Sequence, residues 1–295
     1  MDRFDELNAF IAVGEAGGFS AAARRIGKAQ PAISKAVAVL EQRLGVSLFN
    51  RSTRSVTLTE HGQRYFDRIR LMVEELNDAD NEITNSSMRI SGPVRISTPS
   101  TFGRLHVLPL IPNLLALYPD LDLDLVLSDV VRDMVEDQVD LAVRVGPVDE
   151  PDAVVRCIAG MPMVCVGSGK YFRERGMPQV PADLVGHNCL IYGGLRKADW
   201  PFVGPNGPFS VSVRGNLSSN SIETIRAGVL AGVGIGFFTK ASLVEELSGP
   251  NVVTVLDEFV QDARDVNLVW PKRRFVPARV RRATEFLAQA IAQRL

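Results

Sequence analysis

The stretch FSAAARRIGKAQPAISKAVAVLEQRLG, residues 19–45, carries the strongest fold signal in the chain. Ser20 is suited to cap a short helix that contains three alanines, and Gly27 is suited to end it. A second helix follows, with Pro31 in its first turn and Gly45 after its last. Because alanines let two helices cross closely, the stretch predicts a helix-turn-helix whose second helix can enter a major groove.

The outward positions at the start of this second helix hold side chains that suit contact with bases. Glutamine pairs with adenine, lysine reaches guanine or phosphate, and alanine contacts the thymine methyl group. The candidate DNA-binding residues are Ser20, Gln30, Pro31, Ala32, Ser34 and Lys35.

Short apolar and alternating runs at residues 48–49 and 55–58 predict a two-stranded wing after the helix-turn-helix. Arg51 and Arg54 lie near its tip and are expected to contact phosphate or the minor groove. The alternative is a small helical domain whose basic face is only solvated.

The net charge of −1 over 295 residues conceals an uneven distribution. Residues 1–70 carry +4 (11 basic against 7 acidic), residues 71–150 carry −10 (5 against 15), and residues 151–295 carry +5 (17 against 12). A basic segment at one end of a near-neutral chain is typical of a nucleic-acid-binding module. No apolar run is long enough for a membrane span, and the three cysteines lack metal-ligand spacing. These features indicate a reduced, cytoplasmic protein without a metal or other cofactor.

From residue 59 to about residue 88 the pattern predicts one long helix with a heptad seam. Apolar or small residues recur at alternating steps of three and four: Gly62, Tyr65, Ile69, Met72, Leu76, Ala79 and Ile83. The alternative, a helix packed on its own domain, would show a broader apolar stripe. The seam from Tyr65 to Ile83 therefore predicts a dimer, in which two DNA-binding modules have a set spacing.

Beyond Gly92-Pro93, strand-like runs alternate with helical runs, predicted at 103–118, 129–138, 221–231 and 277–293. This order predicts an α/β fold with parallel strands. We expect two subdomains, the first formed by residues 91–161 and 267–295 and the second by residues 162–266.

Ligands of open α/β sheets bind beyond the carboxyl ends of strands, near helix N-termini. Two hydroxyl-rich loops, 97–101 and 218–221, are expected to face each other across such a cleft. The candidate effector-binding residues are Ser100, Thr101, Arg144, Tyr192, Asn220 and Ser221. These groups suit a small organic anion. The alternative is that the loop residues only cap helices.

The N-terminal residues resemble the DNA-binding domain of LysR-type transcriptional regulators. The markers are Phe10, Phe19-Ser20, Ala22-Ala23, residues 30–35, Leu40-Glu41, Leu44-Gly45, Leu48-Phe49, Arg51, Arg54, Leu58-Thr59 and Gly62. Ile26 and Ala29 depart from the usual residues, and weaker similarity continues at residues 92–96, 117–119, 139–144 and 231–236. The resemblance implies a winged helix-turn-helix at 1–60, a linker and dimerisation helix at 61–90, and a two-subdomain, periplasmic-binding-protein-like effector domain at 91–295.

The resemblance also implies partners: double-stranded operator DNA bound by a dimer or tetramer, a small organic effector, and RNA polymerase, with no membrane. An enzyme is not expected. Residues Gly232–Gly236 resemble a fragment of a nucleotide loop, but they follow a helix and precede a strand, whereas a dinucleotide-binding loop follows a strand and precedes a helix. The histidines are scattered, and Cys157 and Cys165 lie in apolar runs that predict buried, inert thiols. The alternative class is a solute-binding or catalytic α/β protein whose N-terminal module serves only for assembly.

Overall fold

The computed structural model describes residues 2–51, 56–84, 90–130, 133–193, 196–273 and 275–295. They form two compact units. The first holds the described residues up to 84 together with the short segment 275–278, and the second holds the rest. None of the described helices is both long and apolar enough to cross a membrane.

The first unit is a winged helix-turn-helix followed by a long helix. Its elements are α1 (Arg3–Ala16), α2 (Phe19–Ile26), α3 (Gln30–Leu44), β1 (Phe49–Arg51), β2 (Val56–Leu58) and α4 (Glu60–Thr84). Gly27 and Gly45 end α2 and α3 in the left-handed conformation, as the sequence predicts. The antiparallel pair of β1 and β2 forms the wing.

A fully buried ring, Phe10 of α1, lies at the centre of this unit. Its centroid is 5.4 Å from that of Phe49 in β1, 5.6 Å from Tyr65 and 6.0 Å from Phe66, both in α4. Such aromatic contacts add to the free energy gained by burying the rings. Phe10 therefore packs against both the wing and the first turns of α4, so that the three elements share one core.

The prediction that Ser20 caps α2 was wrong. The helix begins at Phe19, after Gly18 in an extended conformation, so that Ser20 lies within the first turn. Its hydroxyl donates instead to Oε1 of Gln30 at 3.0 Å. Ser20 therefore links the first turns of α2 and α3.

A second polar contact joins α3 to the wing. The Glu41 carboxylate accepts hydrogen bonds from the backbone N–H groups of Leu48, at 2.7 Å, and Phe49, at 3.2 Å. Hydrogen bonds that involve a charged group are stronger than neutral ones. They hold the start of β1 against α3.

The second unit is a mixed α/β domain. Its helices are α5 (Ser100–Phe102), α6 (Ile111–Leu117), α7 (Gly169–Arg175), α8 (Ile222–Leu230), α9 (Val244–Leu247) and α10 (Ala278–Arg294). A π-helical turn at Gly103–Val107 and a 3-10 turn at Leu108–Leu110 connect α5 to α6, and further 3-10 turns cover Pro181–Gly186 and Lys240–Leu243. Its strands are β3 (Ser91–Thr98), β4 (Asp120–Leu127), β5 (Leu141–Val145), β6 (Ala153–Ser168), β7 (Ile191–Tyr192), β8 (Lys197–Gly204), β9 (Gly207–Arg214), β10 (Ser218–Ser219), β11 (Gly236–Thr239), β12 (Val252–Val255) and β13 (Ala263–Pro271).

The strand β6 runs through both halves of this unit. Its first part pairs with β13, which also pairs with β5, and β5 and β4 are parallel to β3. Its last part pairs with β11 and β12. The first group contains the parallel strands, and β6 leads from it into the second group.

The helix predicted at residues 129–138 is not seen in its described part, where residues 134–138 form turns. The Asp133 carboxylate accepts from the N–H groups of Val135 and Glu136, and Gln138 has a φ of 55°. An aspartate that bonds the backbone just after it competes with helix formation. The β8–β9 hairpin, which turns at Pro205-Asn206, was not predicted.

Candidate nucleic-acid interface and ligand cavity

The first half of α3 presents a polar face to solvent. Gln30, Pro31 and Lys35 are exposed, and Ala32 and Ser34 are partly exposed. The opposite face is buried in the core through Ile33, Ala36, Val37 and Leu40. The candidate base-contacting residues of α3 therefore share one accessible surface.

Four of the six basic side chains that the structure describes between residues 20 and 64 have an acidic partner within the first unit. The pairs are Arg25–Glu15 at 3.0 Å, Lys28–Asp5 at 2.7 Å, Arg43–Glu6 at 3.0 Å and Arg64–Glu60 at 2.6 Å. The hydrogen bond and charge of Lys28 lower the pKa of Asp5. Arg24 and Lys35 have no ion-pair partner among the described residues, and the side chains of Arg51 and Arg54 lie outside them. Fewer positive charges are therefore available to contact DNA phosphates than the number of lysines and arginines suggests.

The structure divides the predicted seam of α4 into two parts. Tyr65 packs on Phe10 within the core, and Ile69 is buried. Met72 and Leu76 keep 60% and 49% of their surface exposed. The side chains of Ala79 and Ile83 lie outside the described part. Exposed apolar side chains at heptad spacing therefore begin only beyond the first turns of α4.

The second unit contains a cavity of ≈ 340 Å³. Its lining includes a carboxylate, Asp199, and several aromatic and thioether side chains, among them Phe102, Met161, Met163, Trp200 and Phe237. The rings of Trp200 and Phe237 are stacked, with their centroids 5.3 Å apart. A volume near the lower end of the range for small-molecule sites, with both apolar and polar groups in the walls, suits a compact organic ligand.

Two of the six predicted effector-binding residues, Thr101 and Tyr192, line this cavity. Burial raises the pKa of Tyr192, so its hydroxyl is neutral and can donate. Ser100, Asn220 and Ser221 are not among the lining residues.

Arg144, which also does not line the cavity, makes hydrogen bonds within the unit. Its guanidinium group is buried and donates to the Ser97 hydroxyl at 3.3 Å and to the Glu150 carboxylate at 3.4 Å. The backbone N–H of Ser100 similarly donates to the Asp129 carboxylate at 2.8 Å. Side chains of the protein therefore accept hydrogen bonds from Arg144 and from the backbone of Ser100, two donors that the sequence suggested for a ligand anion.

Glu223, in the first turn of α8 just after the second predicted loop, binds Thr101 of the first. Its carboxylate accepts from the Thr101 hydroxyl at 3.3 Å, from Arg104 at 2.8 Å and from Arg226 at 3.2 Å. Burial acts to raise the pKa of Glu223, but these donors outweigh it and hold the pKa below its usual value. A carboxylate of the protein thus lies where the sequence suggested that a ligand anion would bind.

Sequence reasoning missed Arg264 and His106, which line the cavity, as well as the polar lining residues Asp199, Thr239 and Ser242. Arg264 of β13 is its only arginine or lysine among the described lining residues, and it is 3.6 Å from Asp262. His106 is only 6% exposed. Its Nε2 lies 3.0 Å from the carbonyl oxygen of Ala241, and its Nδ1 is buried without a hydrogen-bond partner among the described residues. Neither residue lies in a motif, so spacing could not reveal them.

The prediction of two buried thiols at Cys157 and Cys165 was half wrong, because Cys157 is exposed. Both lie on β6, eight residues and therefore about 26 Å apart, which excludes a bond between them within one chain. Burial raises the pKa of Cys165 well above its usual value and that of Cys189 to about 12. Within the described ranges no group of three or more histidine, cysteine or acidic side chains could hold a metal ion.

Two family profiles match the chain. The profile described as "Bacterial regulatory helix-turn-helix protein, lysR family" covers residues 4–63, and "LysR substrate binding domain" covers residues 88–292. The chain is 31% identical over 298 residues to the Escherichia coli HTH-type transcriptional regulator DmlR, covering 99% of this chain and 96% of that protein. It resembles CrgA, a LysR-type transcriptional regulator from Neisseria meningitidis (28% identity, TM-score 0.62, 97% and 98% of the two chains). It also resembles the full-length Vibrio cholerae virulence activator AphB (27% identity, TM-score 0.61, 98% and 99% coverage).

Proposed function

Because this chain belongs to the LysR family of bacterial helix-turn-helix transcriptional regulators, we propose that the first half of α3 reads operator DNA in the major groove. The observation that supports this proposal is the shared solvent-exposed face formed by Gln30, Pro31 and Lys35. Ser34 and Ala32 complete this face, and Arg51 and Arg54 are assigned to the DNA backbone. Ser20 acts indirectly, by holding Gln30.

We assign self-association to the exposed part of the α4 seam, which begins at Met72 and Leu76 and continues to Ala79 and Ile83. Two α4 helices that bury these side chains would place two α3 helices at a set spacing on DNA. The active assembly is a dimer or a pair of dimers.

The effector in this proposal is a small organic acid whose apolar body fills the cavity and whose carboxylate contacts Arg264. Thr101 and Tyr192 contact it from the walls, while Ser100, Arg144, Asn220 and Ser221 support the loops around it. Binding changes how the paired DNA-binding units sit on their sites. Such a regulator works in the cytoplasm, beside RNA polymerase, and catalyses no reaction.

A gel-shift experiment tests DNA recognition directly. The full-length chain should retain DNA that adjoins its own gene in preference to a random fragment of equal length. Equal retention of the two fragments would favour the alternative, a solute-binding protein whose N-terminal unit serves only for assembly.

Replacing Arg51 with alanine should weaken binding to specific and random DNA alike. One phosphate contact fewer should reduce the slope of log K against log salt by about 0.9. Fluorescence anisotropy over a salt series measures this slope. Arg173→Ala, which removes the same charge from an exposed position in the second unit, should leave it unchanged. A slope that Arg51→Ala does not alter would show that Arg51 does not touch phosphate.

A thermal-shift screen of aliphatic and aromatic carboxylates on the full-length chain tests the effector site. An acid present at a hundred times its Kd should stabilise the protein by about 2.7 kcal/mol. Arg264→Gln should weaken that acid about 10- to 100-fold, because a hydrogen bond to a charged group is lost. Arg173→Gln serves as the control. If affinity survives Arg264→Gln, the carboxylate is bound elsewhere.

A further inference from the structure

The second unit carries another concave site, a groove of ≈ 730 Å³ that shares none of its described lining residues with the cavity. We call it the arginine groove, because Arg175 at the end of α7, Arg196 just before β8 and Arg214 at the end of β9 line it. All three are exposed, and none has an ion-pair partner among the described residues. Glu174 is the one acidic side chain in the described lining. An anion bound between the arginines would relieve the repulsion of their like charges.

A histidine in the groove lining, His187, has its ring proton placed by a neighbouring side chain. The buried Tyr171 hydroxyl accepts from the backbone N–H of Asn188 at 3.0 Å and lies 3.1 Å from Nδ1 of His187. The described residues offer the hydroxyl hydrogen no other acceptor, so Tyr171 donates it to Nδ1 and the neutral ring carries its own proton on Nε2. Burial lowers the pKa of His187, which favours this neutral ring. Nε2 is neither bonded to a described residue nor buried, so its N–H is accessible to a ligand.

A second uncharged donor comes from the two asparagines of the groove lining. The Asn188 side chain donates to the Val233 carbonyl at 2.8 Å and accepts from the backbone N–H of Asn216 at 3.0 Å, which establishes the orientation of its amide. Its Nδ2 also donates to Oδ1 of Asn216 at 2.9 Å. The remaining end of the Asn216 amide is therefore its NH2 group, which has no partner among the described residues.

The groups that line the arginine groove are thus mainly donors, and they come from five separate places in the chain. Guanidinium groups bond oxygen atoms of phosphate or carboxylate in pairs. A phosphate group is tetrahedral and accepts hydrogen bonds from several directions, whereas a carboxylate is planar. Donors from five places suit the tetrahedral group, and the volume of the groove lies within the range of small-molecule sites.

We propose that the arginine groove binds the phosphate groups of a small phosphorylated anion, which accept from the three arginines and from the N–H groups of His187 and Asn216. The groove lies outside the cavity to which we assign the effector, and this inference does not depend on the function of that cavity. The second unit would then take two ligands of different chemical class.

Calorimetry of the full-length chain with pyrophosphate tests the site, in a phosphate-free buffer of low salt because salt screens exposed charges. Pyrophosphate should bind with a Kd below about 1 mM. Arg175→Gln and Arg214→Gln should each weaken it about 10- to 100-fold, because a hydrogen bond between charged groups is lost. Arg173→Gln is the matched control, since it removes the same charge from an exposed position of α7 outside the groove and should leave the affinity unchanged.

Two variants that remove no positive charge separate a built site from attraction by charge alone. His187→Phe should weaken pyrophosphate about 2- to 10-fold, because an uncharged donor is lost. Asn216→Asp keeps the oxygen that accepts from Asn188 and replaces the free NH2 group with a charged oxygen, so it should weaken binding at least as much as the loss of an arginine. Thermal melting of each variant confirms that the unit remains folded. Unchanged affinity in His187→Phe, or equal weakening by Arg173→Gln and Arg175→Gln, would refute the built site.

Two further measurements distinguish the ligand class. Tricarballylate, a flexible tricarboxylate, should bind more weakly than pyrophosphate, and tighter binding of tricarballylate would refute the assignment to phosphate. Random DNA is titrated over a salt series with Arg175→Gln and Arg214→Gln. If these variants reduce the salt slope, the groove contacts the DNA backbone and the proposal of a small ligand is wrong. The absence of pyrophosphate binding at about 10 mM would also overturn it.

Discussion

Replacing both Met72 and Leu76 with aspartate should lower the affinity for operator DNA by about 10²- to 10⁴-fold. Among the described side chains of the α4 seam these are the exposed apolar ones, and a charge at each would oppose pairing with a second α4. A single helix-turn-helix then binds without the effective concentration that its tethered partner provides. Sedimentation should show monomers where the unmodified chain forms dimers, and gel shifts on the fragment adjoining the gene should report the loss of affinity.

The matched control is Val135→Asp, which places the same charge on a side chain that is 66% exposed in the second unit. It should change neither the assembly state nor the affinity. If the double variant on α4 remains dimeric and binds DNA normally, the seam is not the interface.

Gly62→Ala should destabilise the first unit by more than about 3 kcal/mol, and specific DNA binding should be lost with it. A Cβ at this position would lie 2.0 Å from the carbonyl oxygen of Leu48 and 2.9 Å from its carbon. That oxygen already accepts from the N–H of Thr59, whose hydroxyl donates to the Ser47 carbonyl and accepts from the N–H of Gly62. The backbone on both sides is therefore held, so the clash cannot be relieved by a side-chain movement.

Hydrogen exchange of α1–α3 in the full-length chain measures this effect, because α4 closes onto the same core. Gly18→Ala is the control, since its backbone is extended and a Cβ there would meet nothing within 4 Å. It should change stability by less than about 1 kcal/mol. Normal protection of α1–α3 in Gly62→Ala would show that the start of α4 can move away from Leu48.

The fold of the first unit was predictable because its signals are local. The helix ends are marked by glycines that adopt positive φ, at Gly17, Gly27 and Gly45, and the wing follows from alternation over a few residues. The start of α2 was missed because Ser20 had two possible partners. Its preference for Gln30 depends on the crossing of two helices, which short-range spacing does not describe.

The cavity was only partly predictable because its walls come from distant parts of the chain. Thr101 lies in the short helix α5, just beyond the carboxyl end of β3, a position that general rules for α/β sheets identify. Met161, Trp200, Phe237 and Arg264 lie on four different strands and have no shared spacing. Their meeting depends on the order β11-β6-β13 and on a hairpin that was not predicted.

The two hydrogen bonds that the Glu41 carboxylate accepts from the backbone N–H groups of Leu48 and Phe49 fix the start of β1 relative to α3 in the free protein. In the proposed complex, α3 and the start of β1 would therefore approach DNA at a spacing that is already fixed, so little ordering cost remains at the moment of contact. Operators whose groove width differs from this spacing must themselves deform. Sequence preference should therefore extend to base steps that no side chain touches, through the stiffness of the DNA.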